Sequence, residues 1–348
     1  MSPYVLAILI FGLGLGTALT LSSSHWLLAW VGLEISTLSI IPLMAQHHHP
    51  RAVEATTKYF LIQATAAAMI LFAATSNAWL TGQWNILQLT HPLPASMTML
   101  ALALKLGLAP LHLWLPEVLQ GLDLITGLIL STWQKLAPFA LLVQIQGTNQ
   151  SLMILLGLSS MLMGGWGGLN QTQLRKILAY SSIAHLGWMV IVVQFSPPLT
   201  LLALLLYLIM TFSTFILFKL NNATTINTLA TSWAKGPVLT AIAPLALLSL
   251  GGLPPMTGFM PKWLILQELT KQDLPLTATL AALSALLSLY FYLRLSYAMT
   301  LTTAPNNLMT TTPWRLPSPQ LSLPLAISLL TTISLLPLTP AALTLLTP

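Results

Sequence analysis

Four ionisable side chains stand in stretches whose other residues are mostly apolar: Glu34 in VGLEISTLSII, Lys105 in LALALKLGLAP, Lys135 in LILSTWQKLAP and Lys262 in MTGFMPKWLIL. At the centre of a bilayer each costs roughly 2.5–3.5 kcal/mol on insertion scales. The set therefore costs on the order of 10 kcal/mol, comparable with the stability of a whole fold. Groups that expensive need partners, water or a function. A buried amine prefers to be neutral, and an approaching carboxylate favours its ammonium form. A Glu34 that moved relative to Lys105 would thus switch proton affinity, which is the chemistry of a buried proton relay. Spacings of three and four place polar groups on the same helix face as these charges: Thr37 beside Glu34, Ser131 and Thr132 beside Lys135, and Ser181 and Ser182 beside His185. Lys105 and His112 are seven apart, two turns of an unbroken helix, with Pro110 between them. A structural alternative stays open, in which the same charges pair across helices as glue or snorkel to the interface. Snorkelling suits Lys262 best, because it follows a helix-breaking stretch.

The elements that must position these groups are set by composition. The chain has 348 residues, 56% hydrophobic and 5% charged, with a mean hydropathy of +0.83; ordinary soluble domains carry roughly 25% charged residues. This is the composition of an integral membrane protein. The net charge is +6, but its twelve basic residues are scattered rather than clustered, so nucleic-acid binding is rejected. No cysteine is present, which excludes disulfides, iron–sulfur ligation and thiolate metal sites from this chain and places any redox centre on a partner. The N-terminal MSPYVLAILIFGLG lacks the basic region of a secretory signal and reads as a retained span. Gln46-His47-His48-His49-Pro50 reads as a solvated loop, and the pairs Gly12/Gly16 and Gly164/Gly168 as sites of close helix packing. The sequence has no GxGxxG, Walker or HExxH motif, so no nucleotide site is visible.

A bilayer core about 30 Å thick needs roughly 20 apolar residues per helix. Cutting at polar, proline and asparagine clusters predicts an all-α fold of about eleven spans, near 3–20, 25–44, 55–80, 96–116, 125–145, 150–168, 173–194, 198–220, 238–266, 275–299 and 321–344. The loops on the N-terminal side then hold Arg51, Lys58, Arg175, Lys176, Lys219, Lys235, Arg315 and, at a span end, Arg294, while the opposite side holds only Lys271. This bias puts the N-terminus inside and the C-terminus outside. Two spans contain breakers at membrane depth, Pro110 in the fourth and Gly251-Gly252-Leu253-Pro254-Pro255 in the ninth. Five helices separate them, and an odd step reverses direction in the membrane. The layout predicts inverted five-helix repeats over 1–145 and 150–300, followed by a loop and final helix over 301–348.

KLGLAPLHLWLPEVLQG (105–121) resembles the K-x-G-x-x-P-x-H-x-W-L-P-(D/E) signature of the antiporter-like proton-translocating subunits of NADH:ubiquinone oxidoreductase, respiratory complex I. LSLGGLPPMTGFMPKW (248–263) is similar to the second broken helix of that family, and VGLEISTLSIIP (31–42) and QLRKILAYSSIAHLGWM (173–189) extend the likeness along the chain. The resemblance implies that Glu34, Lys105, Lys135 and Lys262 form a central charged axis, with His112 and His185 as connecting protonatable groups. Glu117 stands where the signature usually has Asp. It further implies a subunit of the mitochondrial inner membrane, N-terminus on the matrix side and C-terminus on the intermembrane-space side. Its partners would be other membrane-arm subunits, accessory subunits and lipids. No cofactor is expected in this chain; NADH, FMN, iron–sulfur clusters and ubiquinone would be bound by partner subunits. Two other functions remain open, a stand-alone cation/proton antiporter and a structural scaffold of the membrane arm.

Overall fold

Prolines open many of the helices, because a residue in the first turn has no carbonyl four positions back and its missing N–H costs nothing. In the computed structural model, which describes residues 2–46, 49–145, 149–234, 237–302 and 322–346, the described chain is helical with no strand. Isolated antiparallel bridges pair His25 with Asn85 and Gln173 with Thr225 in the connections. The chain divides into two compact units, Met1–Ser160 and Met161–Pro348.

The first unit contains α1 (Pro3–Ser22), α2 (Trp26–Met44), α3 (Pro50–Thr81), α4 (Pro92–Leu106), α5 (Trp114–Gly121), α6 (Leu124–Ser131) and α7 (Trp133–Gln144). α8 (Gln150–Gly168) leads the chain into the second unit. There follow α9 (Leu174–Val192), α10 (Pro197–Leu220), α11 (Ile226–Ala230), α12 (Pro237–Gly251), α13 (Phe259–Lys271), α14 (Pro275–Thr300), α15 (Ser322–Ser334) and α16 (Thr339–Leu346). Among the described residues seven segments are long and apolar enough to cross a membrane: α1, α2, α3, α6 with α7, α8, α10 and α14. α4, Val238–Gly251 of α12 and Leu323–Ser334 of α15 are shorter apolar helices.

The break expected in 96–116 is present, and two further segments depart from the continuous spans expected. The segment 96–116 stops at Leu106 and resumes at Trp114. The segment 125–145 is two helices joined at Thr132. There the Leu128 carbonyl receives the Thr132 N–H at 2.9 Å, the Thr132 hydroxyl at 2.7 Å and the Ser131 hydroxyl at 3.0 Å. Such side-chain bonds compete with the helical ladder and bend it. The last segment, expected over 321–344, halts at Ser334 and passes through a 3-10 turn at Leu336–Leu338 before α16. Pro337 and Pro340 lack the N–H groups that a continuous helix would need.

Helix contact is close between α1 and α2. A Cβ added at Gly16 would lie 2.7 Å from the Gly32 carbonyl oxygen, and one at Gly32 would lie 2.8 Å from the Gly16 carbonyl oxygen. Without side chains at either position the two backbones touch, which is how helices gain dispersion energy when lipid offers no hydrophobic drive to associate. In the second unit Gly164 of α8 lies against Ala184 of α9 in the same way, with a 2.7 Å approach to its amide nitrogen. Nearly all of α9 is buried. Outward-facing Phe11, Phe72, Trp166 and Leu283 remain exposed, as lipid contact allows.

Candidate proton-relay site

In the first unit the α4 helix ends at Gly107, whose φ of 78° is a left-handed conformation that glycine adopts freely. Its N–H bonds back to the Ala103 and Leu104 carbonyls. Lys105 therefore occupies the last turn of a half-helix, where the carbonyl ends are negative and a cation is favoured by roughly 0.3–1 kcal/mol. It is only 5% exposed, and its Nζ has no hydrogen-bond partner. The second half-helix, α5, is stapled back by Trp114, whose indole N–H donates to the Leu104 carbonyl at 3.2 Å.

Lys135 is 3% exposed and belongs to the first turn of α7. The residues before it are anchored on other helices: the Trp133 indole donates to the Leu13 carbonyl at 3.4 Å and the Gln134 amide to the Ser36 carbonyl at 3.0 Å. Lys105 and Lys135 line one cavity of about 10 Å³, together with Ser36, Thr37, Tyr59, Gln63 and Gln134. That volume and polar lining suit a single water, which needs two to four polar partners. Glu34 is half-buried on α2 and receives the Thr37 hydroxyl on its Oε2 at 3.3 Å. It makes no ion pair with Lys105, yet its charge acts on both Lys105 and Tyr59. Glu34, Lys105 and Lys135 are thus brought into one neighbourhood.

His112 is buried in the interruption itself, in hydrogen-bond contact with the Pro110 backbone. Its seven-residue spacing from Lys105 does not act as two helical turns, because the helix stops at Leu106, and it is not among the residues lining the cavity. Glu117 pairs with Lys58 at 2.8 Å, and Lys58 also holds Glu54 at 2.8 Å, so this carboxylate joins α5 to α3 at an exposed edge.

In the second unit Lys262, in the first turn of α13, does not snorkel. Its Nζ reaches back to the end of α12 and donates to the Gly251 carbonyl at 2.7 Å. Gly252 follows with φ 77°, and a Cβ there would lie 2.8 Å from that Nζ, so glycine leaves the amine its space. The break is tied to α15, since the Thr257 hydroxyl donates to the Thr332 carbonyl at 2.6 Å. Beside Lys262 lies an apolar cleft of about 330 Å³ whose walls include Trp188, Phe259, Trp263, Leu286 and Leu289. His185 is buried in α9 with its ring centroid 5.7 Å from that of Tyr207. Sequence reasoning missed Tyr59, Gln63 and Gln134 in the first unit; the one signal they carry in the sequence is a polar atom within an apolar helix. His47, His48, Lys235 and Arg315 lie outside the described residues. Among the described residues no group of three or more His, Asp or Glu is placed to hold a metal ion.

Apolar helices that break beside buried Lys105 and buried Lys262 define a polytopic membrane protein of the antiporter type. Residues 23–288 match the NADH:quinone oxidoreductase/Mrp antiporter transmembrane family, and residues 289–343 match the NADH dehydrogenase subunit 2 C-terminus. Relatives called NADH-ubiquinone oxidoreductase chain 2 are 74% identical in Tetraodon nigroviridis, over 99% of both chains, and 72% identical in Salmo salar, over 100% of both. A solved chain in respiratory complex I from Thermus thermophilus with bound aureothin superposes with a TM-score of 0.89 at 28% identity, covering 99% of this chain and 80% of that one. The Mrp complex of Dietzia sp. DQ12-45-1b shares the fold, with a TM-score of 0.75 at 18% identity over 86% of this chain and 61% of that one. The chain belongs to the NADH:quinone oxidoreductase/Mrp antiporter family, among the chain 2 subunits of NADH-ubiquinone oxidoreductase, an H+-translocating complex.

Proposed function

We propose that this subunit carries protons through its own interior, with Glu34, Lys105, Lys135 and Lys262 as the groups that hold and hand on the proton and His112 and His185 as connecting groups. The observation that carries this reading is the cavity shared by Lys105 and Lys135, with the Lys105 amine buried and uncommitted at its wall. A water there would accept from one amine and donate to the other, and Glu34 nearby shifts the balance between them by its distance from Lys105. Redox chemistry, with NADH, FMN, iron–sulfur clusters and ubiquinone, belongs to partner subunits. This chain's part is to respond to them by changing protonation.

The architecture proposed with this function is about eleven spans in two inverted repeats, 1–145 and 150–300, with 301–348 as a loop and final helix. Its support is that each proposed repeat contains an interrupted helix ended by a left-handed glycine, Gly107 and Gly252. The location is the mitochondrial inner membrane, with the N-terminus in the matrix and the C-terminus in the intermembrane space, supported by the basic bias of the N-terminal-side loops. Lipids and accessory subunits would cover the exposed apolar helix faces.

The test is Lys105→Met in the assembled complex, reconstituted in sealed vesicles. The expected result is normal assembly with fewer protons moved per electron. An unchanged ratio with normal assembly would overturn the relay, and lost assembly would favour the scaffold reading, which the Lys262–Gly251 cap makes concrete.

A further inference from the structure

The cavity shared by Lys105 and Lys135 has a wall that the relay above leaves without a task. Gln134, the residue just before Lys135 in the first turn of α7, borders it. Its amide nitrogen donates to the Ser36 carbonyl of α2 at 3.0 Å. An amide turned the other way would set its oxygen against that carbonyl, so the bond fixes which end is which and leaves the oxygen to accept. Gln63, on the α3 wall, is held less firmly: its amide nitrogen lies 3.5 Å from the Lys105 carbonyl, the outer limit of a hydrogen bond. The hydroxyls on the α2 wall spend their hydrogens elsewhere, Ser36 on the Leu33 carbonyl at 2.9 Å and Thr37 on the Glu34 carbonyl at 3.0 Å. Around Gln134 the cavity therefore offers acceptors, while the two amines offer donors.

An amide oxygen has a property that suits a relay. It accepts a hydrogen bond as a carboxylate does, yet it does not titrate, so it cannot trap a proton that passes beside it. A water between two amines has a complementary need. It can pass a proton when a lone pair faces the ammonium and a hydrogen faces the neutral amine, and a third partner must take its other hydrogen to hold it so.

We propose that Gln134 is a positioning residue of the relay: its amide oxygen accepts one hydrogen of a water in this cavity and so orients that water between Lys105 and Lys135. In the transfer an N–H bond of the ammonium breaks as an O–H bond forms on the water, while the water's second O–H bond breaks as an N–H bond forms on the other amine. The water ends as water, the two lysines have exchanged protonation states and no electron moves. Turning the water about its bond to Gln134 resets it for the next proton. Because the same amide ends on Ser36, this orientation is referred to the helix that carries Glu34. This inference rests on the reading that protons move through this chain.

The experiment places Gln134→Met, Gln134→Glu and Lys105→Met separately in the full complex in sealed vesicles. It measures assembly, the KM for quinone, protons moved per electron across a range of pH, and the solvent deuterium isotope effect on turnover. Methionine keeps the volume and has no amide, so assembly and KM should be unchanged while the proton-to-electron ratio falls to that of Lys105→Met and the isotope effect rises. Glutamate keeps the shape. Protonated, it donates to the Ser36 carbonyl and accepts from the water as the amide does; ionised, it has no hydrogen for that carbonyl. Its ratio should stand above that of Gln134→Met at acid pH and drop to it as the pH rises. A normal ratio in Gln134→Met beside a lowered one in Lys105→Met would overturn the positioning role and leave the proposed function standing. Normal ratios in both would overturn the two together. A Gln134→Glu ratio no higher than that of Gln134→Met at every pH would overturn the positioning role, as would failure of Gln134→Met to assemble, which would assign the amide to helix packing.

Discussion

At the second interruption the lysine meets a backbone carbonyl, not a carboxylate, whereas the Lys105 amine at the first has no hydrogen-bond partner. Lys105 lies in the last turn of α4, and Lys262 reaches across to Gly251 at the end of α12. A carbonyl cannot take a proton, so the Gly251 oxygen steadies the Lys262 amine without competing for the proton that the proposed relay assigns to it, whereas Glu34 acts on Lys105 through space. The ion pairs at the exposed edge are different. Lys58 holds Glu54 and Glu117 with 42%, 62% and 55% of the respective side chains exposed. Water and salt screen such pairs, and they contribute little. Lys58→Met should leave the assembled complex with its thermal stability and proton-to-electron ratio essentially intact, as a melting curve and a vesicle assay would show. A large loss would mean that α5 depends on this link.

At the scale of helices, the Gly16–Gly32 approach is a contact sensitive to a single added group. A valine side chain at position 16 would begin 2.7 Å from the Gly32 carbonyl and the Ser36 nitrogen, both backbone atoms that cannot turn aside. Overpacking of this kind costs about 1–3 kcal/mol or more. Gly16→Val should lower the yield of assembled complex, measurable on native gels, while Gly14→Val, at a position with nothing within 4 Å, should not. Glycines and prolines make both interruptions legible in the sequence, because each of those residues carries a backbone consequence of its own. The joint at Thr132 is not legible there: serine and threonine hydroxyls bond back to carbonyls in straight helices too, and nothing in their spacing says when the helix gives way. The stop after Ser334 has its signal in Pro337 and Pro340, yet the apolar run through them masks it. The charged residues of the site stand out because the membrane makes charge conspicuous. Tyr59 does not, since a tyrosine counts as apolar along a helix and becomes polar only by what its oxygen faces.

For the whole molecule, large apolar side chains on outward helix faces call for lipid or neighbouring subunits as cover. The chain has no cysteine to ligate a redox centre, and the proposed function assigns the energy for uphill transport to partner subunits. Purified alone and placed in vesicles, it should show little sodium- or potassium-driven proton exchange by a pH-sensitive dye; rapid exchange would instead identify a self-sufficient antiporter. The anchoring of Trp133 and Gln134 to the backbones of α1 and α2 bears on how such transport proceeds. The main chain just ahead of Lys135 is clamped on two sides, so relocating its nitrogen calls for torsion of four methylenes and no helix translation. Bond rotations of that kind belong to a faster regime than the microsecond-to-millisecond sliding of helices. Under the proposed relay, the Lys135 step thus needs side-chain rotation and no displacement of α1 or α2.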